Sequence, residues 1–497
     1  MSIPTTDLIV FLLYMFGTLI FGCSFYFKNK SANTFTSGGG NMPAWVVGMS
    51  IFATFVSSIS FLALPGSAYA TNWNGFVFSL AIPVAAYLAV KFFVPLYREI
   101  NSVSAYAFLE QRFGRWARIY ASLCYMLTQV ARMGSIMFLL ALPINALFGW
   151  DIYLIIIVTG ACVLLYSMLG GITAVIWTDA IQGIVLIAGA LTCAVVLLFS
   201  MTEGTMQVYQ IAKQYDKLSL GGFKLSLSES TFWVILIYGL FINVQNFGID
   251  QSYVQRYMTT GSLKKAKFST WFGSLLYIPV SLLFFIIGTS LFAYYHVHPD
   301  LLPVELKAVG MADRIFPYFI VHGLPKGLTG LLIAAIFAAG MSSISTSLNS
   351  SATVILTDYY ERYFQKTANN KKSMRVLYIS TFFMGALGVG AALAMTQVKS
   401  ALDAWWGLSS IFSGGMLGLF LLGYFSKRIK NIDAAIAVSL GCLAICWVSL
   451  SPIYFIQGSW VSFKSTLNTN LAIVVGTTTI FLSGFLVHSI LHRNTRK

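Results

Sequence analysis

Two charged residues in this chain stand where charge is costly. Of its 31 Lys and Arg and 16 Asp and Glu residues, only Arg132 and Asp179 fall well inside apolar runs long enough to cross a bilayer. A charge near the centre of a membrane costs about 2.5 kcal/mol or more, so such a residue normally faces a cavity, a partner or a transported solute. Arg132 lies in Thr128-Gln129-Val130-Ala131-Arg132-Met133-Gly134-Ser135. Its guanidinium does not release its proton, and its planar fork matches a carboxylate through two parallel hydrogen bonds. It suits a clamp for an organic anion; the blander role is a gate or a tie to backbone carbonyls. Asp179 can add formal charge to a cation site. Its other readings are a structural carboxylate, paired with backbone amides or with Arg132, and a proton relay.

The neutral oxygens are as informative as the charges. Ser342, Ser343, Ser345, Thr346 and Ser347 crowd six positions of one apolar run. Ser342, Ser345 and Thr346 stand at i, i+3 and i+4 and share a helix face, with Ser343 turned aside. Hydroxyl and carbonyl oxygens can replace the water shell of an alkali cation while holding it weakly enough for release. A second run, Met49 to Phe61, carries Ser57, Ser58 and Ser60 and reaches Pro65-Gly66. It is a candidate for a broken helix, whose unwound carbonyls would face an ion. A third, with Gly239, Asn243, Gln245, Asn246 and Gly248, is a further candidate break. In both, small and hydroxyl residues also suit plain close packing of helices.

The elements that must position these residues are membrane helices. Apolar residues make up 57% of the chain and charged residues 9%, and the mean hydropathy is +0.77, values that exclude an ordinary soluble domain. Thirteen spans are predicted, at about 5–27, 43–70, 75–97, 117–147, 152–170, 172–200, 231–249, 269–295, 327–357, 374–395, 401–425, 432–457 and 469–491. The net charge of +15 follows from topology rather than from a nucleic-acid partner. With the N-terminus outside and the C-terminus cytoplasmic, 21 of the Lys and Arg, the group Arg256 to Lys267 among them, fall on the inner face and 8 outside, as the positive-inside rule requires. The opening segment has no basic n-region or A-x-A site and reads as a retained helix. All six cysteines fall within spans, without the placement of a disulfide or metal framework. Nucleotide-binding and hydrolase motifs are absent, and no loop offers room for an ATPase, so the chain reads as a transporter driven by an ion gradient, not an enzyme. No oligomeric state is predicted, and a monomer is compatible with the chain.

Three stretches carry a resemblance to a known family: Gly170 to Gln182, Gly248 to Tyr257, and Leu331 to Ser350 with its Ala338-Ala339-Gly340-Met341-Ser342-Ser343 core. They resemble signatures of the sodium/solute symporters and, among these, are most similar to the bacterial sialic acid symporters. The resemblance implies an all-α polytopic protein of LeuT-like fold in a bacterial plasma membrane, with an extra first helix (5–27), inverted five-helix repeats (43–200 and 231–425) and two C-terminal helices (432–491). It implies a main sodium site from the carbonyls of Val56, Ile59 and Ala339 and the hydroxyls of Ser342 and Ser343. A second sodium would take Asp179, Ser342, Ser345 and Thr346. The sugar acid would lie on Ser58, Ser60 and Arg132 beside Phe78. Positions 63 and 82 carry Ala63 and Ile82, where more polar side chains are expected. Sodium-coupled import of N-acetylneuraminic acid by alternating access is the activity implied. Rival readings keep the scaffold and change the cargo to proline, a monocarboxylate or a neutral sugar, or make it a sensor or channel.

Overall fold

A computed structural model describes residues 5–28, 31–308, 310–364, 369–397, 414–455 and 458–492. Among these, ten helices are long and apolar enough to cross a membrane, and Ala44–Phe55 with Ser58–Ala70 form one further span bent by 55°. Ile152–Phe199 is 48 residues long and broken at Gly171, φ 56° and ψ −161°. A straight helix of that length would run about 70 Å, more than twice the hydrocarbon thickness. Only glycine takes this backbone without strain, so the boundary predicted between 170 and 172 falls where the chain must turn. A shorter apolar helix, Gly414–Phe425, covers part of the predicted span 401–425; positions 401–413 lie outside the described residues.

The centre of the bundle is the serine-rich helix Leu328–Val354. All but Leu328 and Leu331 of its 27 residues are buried. It packs on Ile152–Phe199, on Arg115–Phe148, on Asn370–Met395 and on both halves of the bent span. A helix covered on every side needs no polar face, and its hydroxyls must find partners within the protein. Several bond back one turn: Ser347 Oγ donates to Ser343 O at 2.9 Å, Ser350 Oγ to Thr346 O at 2.6 Å and Thr353 Oγ1 to Asn349 O at 2.9 Å.

The first helix, Thr5–Ser24, has a structural task that its apolar sequence does not announce. Asp7 is buried, and its Oδ1 accepts from the backbone N–H groups of Gly327 and Gly330, both at 2.8 Å. It thus caps the serine-rich helix from outside that helix. Asp7→Ala is expected to lower stability by about 0.5–2 kcal/mol, the usual range for a lost cap. A melting temperature in detergent indistinguishable from wild type would refute this role.

Candidate functional site

The bent span is interrupted at Val56 and Ser57. Val56 takes an extended conformation, φ −77° and ψ 121°, and Ser57 accepts from Ser60 N across the start of the second half. Backbone groups at such a break are withdrawn from helical pairing. Beside it opens a cavity of about 410 Å³, within the range of small-molecule sites. Its polar wall includes Ser57, Ser60, Gln129, Arg132, Gln245, Asn246 and Asp250; its aromatic wall is Phe55, Phe78, Tyr238, Tyr253 and Tyr277. Phe55 stacks on Phe247 at 5.2 Å and meets Tyr277 edge-on at 4.4 Å, while Phe78 leans on Tyr238 at 5.7 Å. Such a mixture suits a ligand with both a carbon-ring face and many oxygens.

Arg132 lines this cavity, and its Nη2 donates to Thr54 O at 2.6 Å. One edge of the guanidinium therefore holds the last turn before the break. The tie and the clamp, alternatives in the sequence, are compatible in space. Ile59, Ser60 and Phe78 also line the cavity. Ser58 lies elsewhere: it is fully buried, absent from the cavity wall, and its hydroxyl has no hydrogen-bond partner among the described residues. Ala63 forms part of the wall, while Ile82 is buried away from it.

The oxygens proposed for cations fall into two environments. Ser343 Oγ is buried with no hydrogen bond among the described residues, and its helix touches both halves of the bent span. An unpartnered buried hydroxyl costs roughly 1–3 kcal/mol unless a ligand supplies the missing contact, so the residue fits a cation ligand. Val56, Ile59 and Ala339 are buried as well. Asp179 belongs to a different knot. Its Oδ1 accepts from Ser342 Oγ at 2.7 Å, and its Oδ2 accepts from Ser50 Oγ at 2.6 Å and from Arg256 Nη2 at 2.8 Å. Arg256 further donates through Nη2 to Thr346 Oγ1 at 2.6 Å, through Nε to Ser50 Oγ at 2.7 Å and through Nη1 to Ser252 O at 2.6 Å. Ser342 and Thr346, four apart, both reach this knot; Ser345 Oγ instead donates to Ser342 O at 3.0 Å.

One expectation and two of the alternative readings need correction. Arg256 is not part of a cytoplasmic loop: it is completely buried, in a helix, Gln251–Met258, whose eight residues are all buried. Asp179 pairs with Arg256 and not with Arg132. The break expected within the seventh run falls at its end, because Phe232–Ile249 is continuous and the chain turns at Asp250, whose carboxylate accepts from Ser252 N at 2.8 Å and caps the next helix. Gly239 and Asn243 of that run serve packing, while Asn246 faces the cavity. A Cβ on Gly239 would come within 2.9 Å of Phe78 O, to which Asn243 Nδ2 donates at 3.3 Å.

A broken span, a buried hydroxyl-rich helix beside it and a polar cavity at the break define a secondary transporter of the LeuT-like class. The chain belongs to the sodium:solute symporter family, whose model matches residues 35–441; it is therefore a multi-pass plasma-membrane transporter rather than an enzyme. It is 33% identical over 479 residues to the sodium/sialic acid symporter NanT of Aliivibrio fischeri, covering 96% of this chain and 93% of that one. Its identity to the sodium/sialic acid symporter SiaT of Proteus mirabilis is 35% over 436 residues, 87% of each. A solved substrate-bound outward-open state of a Na+-coupled sialic acid symporter superposes with a TM-score of 0.90 at 31% identity over 98% of both chains. Mhp1, a nucleobase-cation-symport-1 family transporter, shares the fold alone, with a TM-score of 0.57 at 15% identity.

Proposed function

We propose that this protein imports sialic acid together with sodium by alternating access. The observation that carries the reading is the coincidence, at one helix break, of buried ligand oxygens and a cavity holding a fixed guanidinium. Similarity to two sodium/sialic acid symporters over most of the chain supports it. The main sodium lies at the carbonyls of Val56, Ile59 and Ala339 and the hydroxyls of Ser342 and Ser343. A second sodium at Asp179, Ser342, Ser345 and Thr346 binds more weakly, since it shares Asp179 with Arg256. The sugar acid places its carboxylate on Arg132 and its ring among Phe78 and its aromatic neighbours, with Ser60 at the break.

Coupling follows from the placement of the break. Sodium draws the Val56 and Ile59 carbonyls toward Ser343, which fixes the conformation of residues 56–60 and thereby the wall that substrate touches. Sodium and substrate then favour one intermediate, and each raises the affinity of the other by the same factor. The thirteen predicted spans, an outside N-terminus and inverted repeats at 43–200 and 231–425 complete this reading. Uptake of labelled N-acetylneuraminic acid into proteoliposomes tests it: uptake should depend on an inward sodium gradient, and equal uptake in potassium would reject it.

Ser343→Ala separates the ion site from the fold. The hydroxyl has no described partner to lose, so stability without sodium should stay within about 0.5 kcal/mol of wild type. Half-maximal uptake should need at least tenfold more sodium. An unchanged sodium dependence would remove Ser343 from the site.

A further inference from the structure

We propose that Asp433, His488 and His492 form a binding site for a divalent transition-metal ion, Zn2+ by its donor set, that staples the last two helices together. Two of the chain's five histidines stand four residues apart at the end of Ala472–Leu491, where i and i+4 side chains share a face. Facing them at the start of Asn431–Tyr454 is Asp433, which is completely buried. His488 Nδ1 lies 2.8 Å from Asp433 Oδ2, and His492 Nε2 lies 3.4 Å from Asp433 Oδ1. All three ligand atoms fall within 4.8 Å of one another. Zinc bonds to nitrogen and oxygen at about 2.0–2.2 Å, and tetrahedral geometry separates its ligand atoms by about 3.4 Å. Small rotations of the two imidazoles bring this trio to that spacing.

Two details point to a ligand rather than to a simple ion pair. Asp433 Oδ1 makes no hydrogen bond among the described residues although it is buried, which leaves it free to coordinate. Asp433 Oδ2 accepts from Lys430 N at 2.9 Å, the kind of outer contact that orients a metal-binding carboxylate. Two imidazoles and one carboxylate leave a fourth position for water. The nearby Lys427, Arg428 and Lys430 are exposed, so solvent and salt screen their repulsion of a cation. These helices pack mainly on each other. The start of Asn431–Tyr454 is also joined to Arg115–Phe148 by a hydrogen bond from Trp116 Nε1 to Asn431 Oδ1. Metal binding would therefore fix the terminal pair against the arginine-bearing helix.

The test uses the full chain without a histidine tag, stripped with chelator and held in lipid nanodiscs. Titration with Co2+ should give one ion per chain with the intense ligand-field absorption of low coordination number, and Zn2+ should displace it. His488→Ala, His492→Ala and Asp433→Asn should each weaken binding at least tenfold, while His296→Ala/His298→Ala leaves it unchanged. His492→Ala lies beyond the last helical turn, so it reports on the site even if Asp433→Asn fails to fold. Absence of Co2+ binding to the wild type, or wild-type Co2+ affinity in His488→Ala and His492→Ala, would overturn the proposal.

Discussion

Arg256→Ala is expected to be the most destabilising single substitution in the transport core, costing about 3–5 kcal/mol. The guanidinium makes four hydrogen bonds, one to Ser252 a turn back on its own helix and three to Ser50, Asp179 and Thr346 on three helices packed around it. Removing it leaves the buried carboxyl of Asp179 without its counter-charge, a far larger penalty than the net worth of the pair. The double variant Arg256→Ala/Asp179→Ala should therefore melt at a higher temperature than Arg256→Ala alone. Arg256→Lys should rescue little, because an ammonium cannot span Ser50, Ser252 and Asp179 at once. Thermal unfolding in detergent, followed by size-exclusion chromatography, measures all three. If Asp179→Ala lowers the melting temperature of Arg256→Ala as far as it lowers that of the wild type, the two residues are not coupled and the knot is not what holds these helices together.

How much of this was legible in the sequence depends on whether a residue's role is local. Gly171 was legible because a turn between two apolar runs needs a residue that accepts positive φ. The break at Val56 and Ser57 was legible because hydroxyls and β-branched residues weaken a helix where they stand. Arg256 was not, since the apolar run ends at Ile249 and the following Gln251–Met258 looks like a polar loop. Its burial comes from the helices packed around it, which no local periodicity reports. One signal was present: Gln251, Gln255 and Arg256 occur without Lys or Glu nearby until Lys264, an unusual composition for a solvated loop. Ser58 shows the opposite limit. Its type suited a ligand, but one residue of helical rotation, about 100°, decides between the cavity and the interior, and the geometry of the break sets that rotation.

The same knot bears on coupling. Ser50 is in the bent span's first half, and Ser342 and Thr346 are on the helix that also carries Ser343. Asp179 and Arg256 therefore hold the first half of the span against the serine-rich helix, while the second half, from Ser58 to Ala70, is tied by other contacts, chiefly to Leu263–Val297 and Ala312–His322. A sodium ion bridging Val56 and Ile59 to Ser343 would join the two halves across the break. In the proposed site the fixed part would be a charged pair and the part that closes on the ion a set of neutral oxygens, which suits an ion that must leave again.

Arg132→Ala should abolish uptake of an acidic substrate while sparing the ion site. Arg132 and Asp250 are the charged residues among the described ones that line the cavity, so their charges offset each other when no ligand is bound. Without the guanidinium the cavity is left with a lone carboxylate, and an incoming acid meets like charge as well as a missing hydrogen-bond fork. Truncating one partner of a buried charge pair costs about 2–5 kcal/mol, or roughly 30- to 4,000-fold in apparent affinity. The loss should fall on sialic acid and leave sodium-dependent thermal stabilisation in place, because the proposed sodium ligands do not include Arg132. Arg132→Lys should recover part of the affinity by restoring the charge without the fork. Adding Asp250→Asn to Arg132→Ala should do the same by removing the repulsion. Wild-type affinity for the acid in Arg132→Ala would mean that the carboxylate is bound elsewhere and that the arginine serves only to hold Thr54.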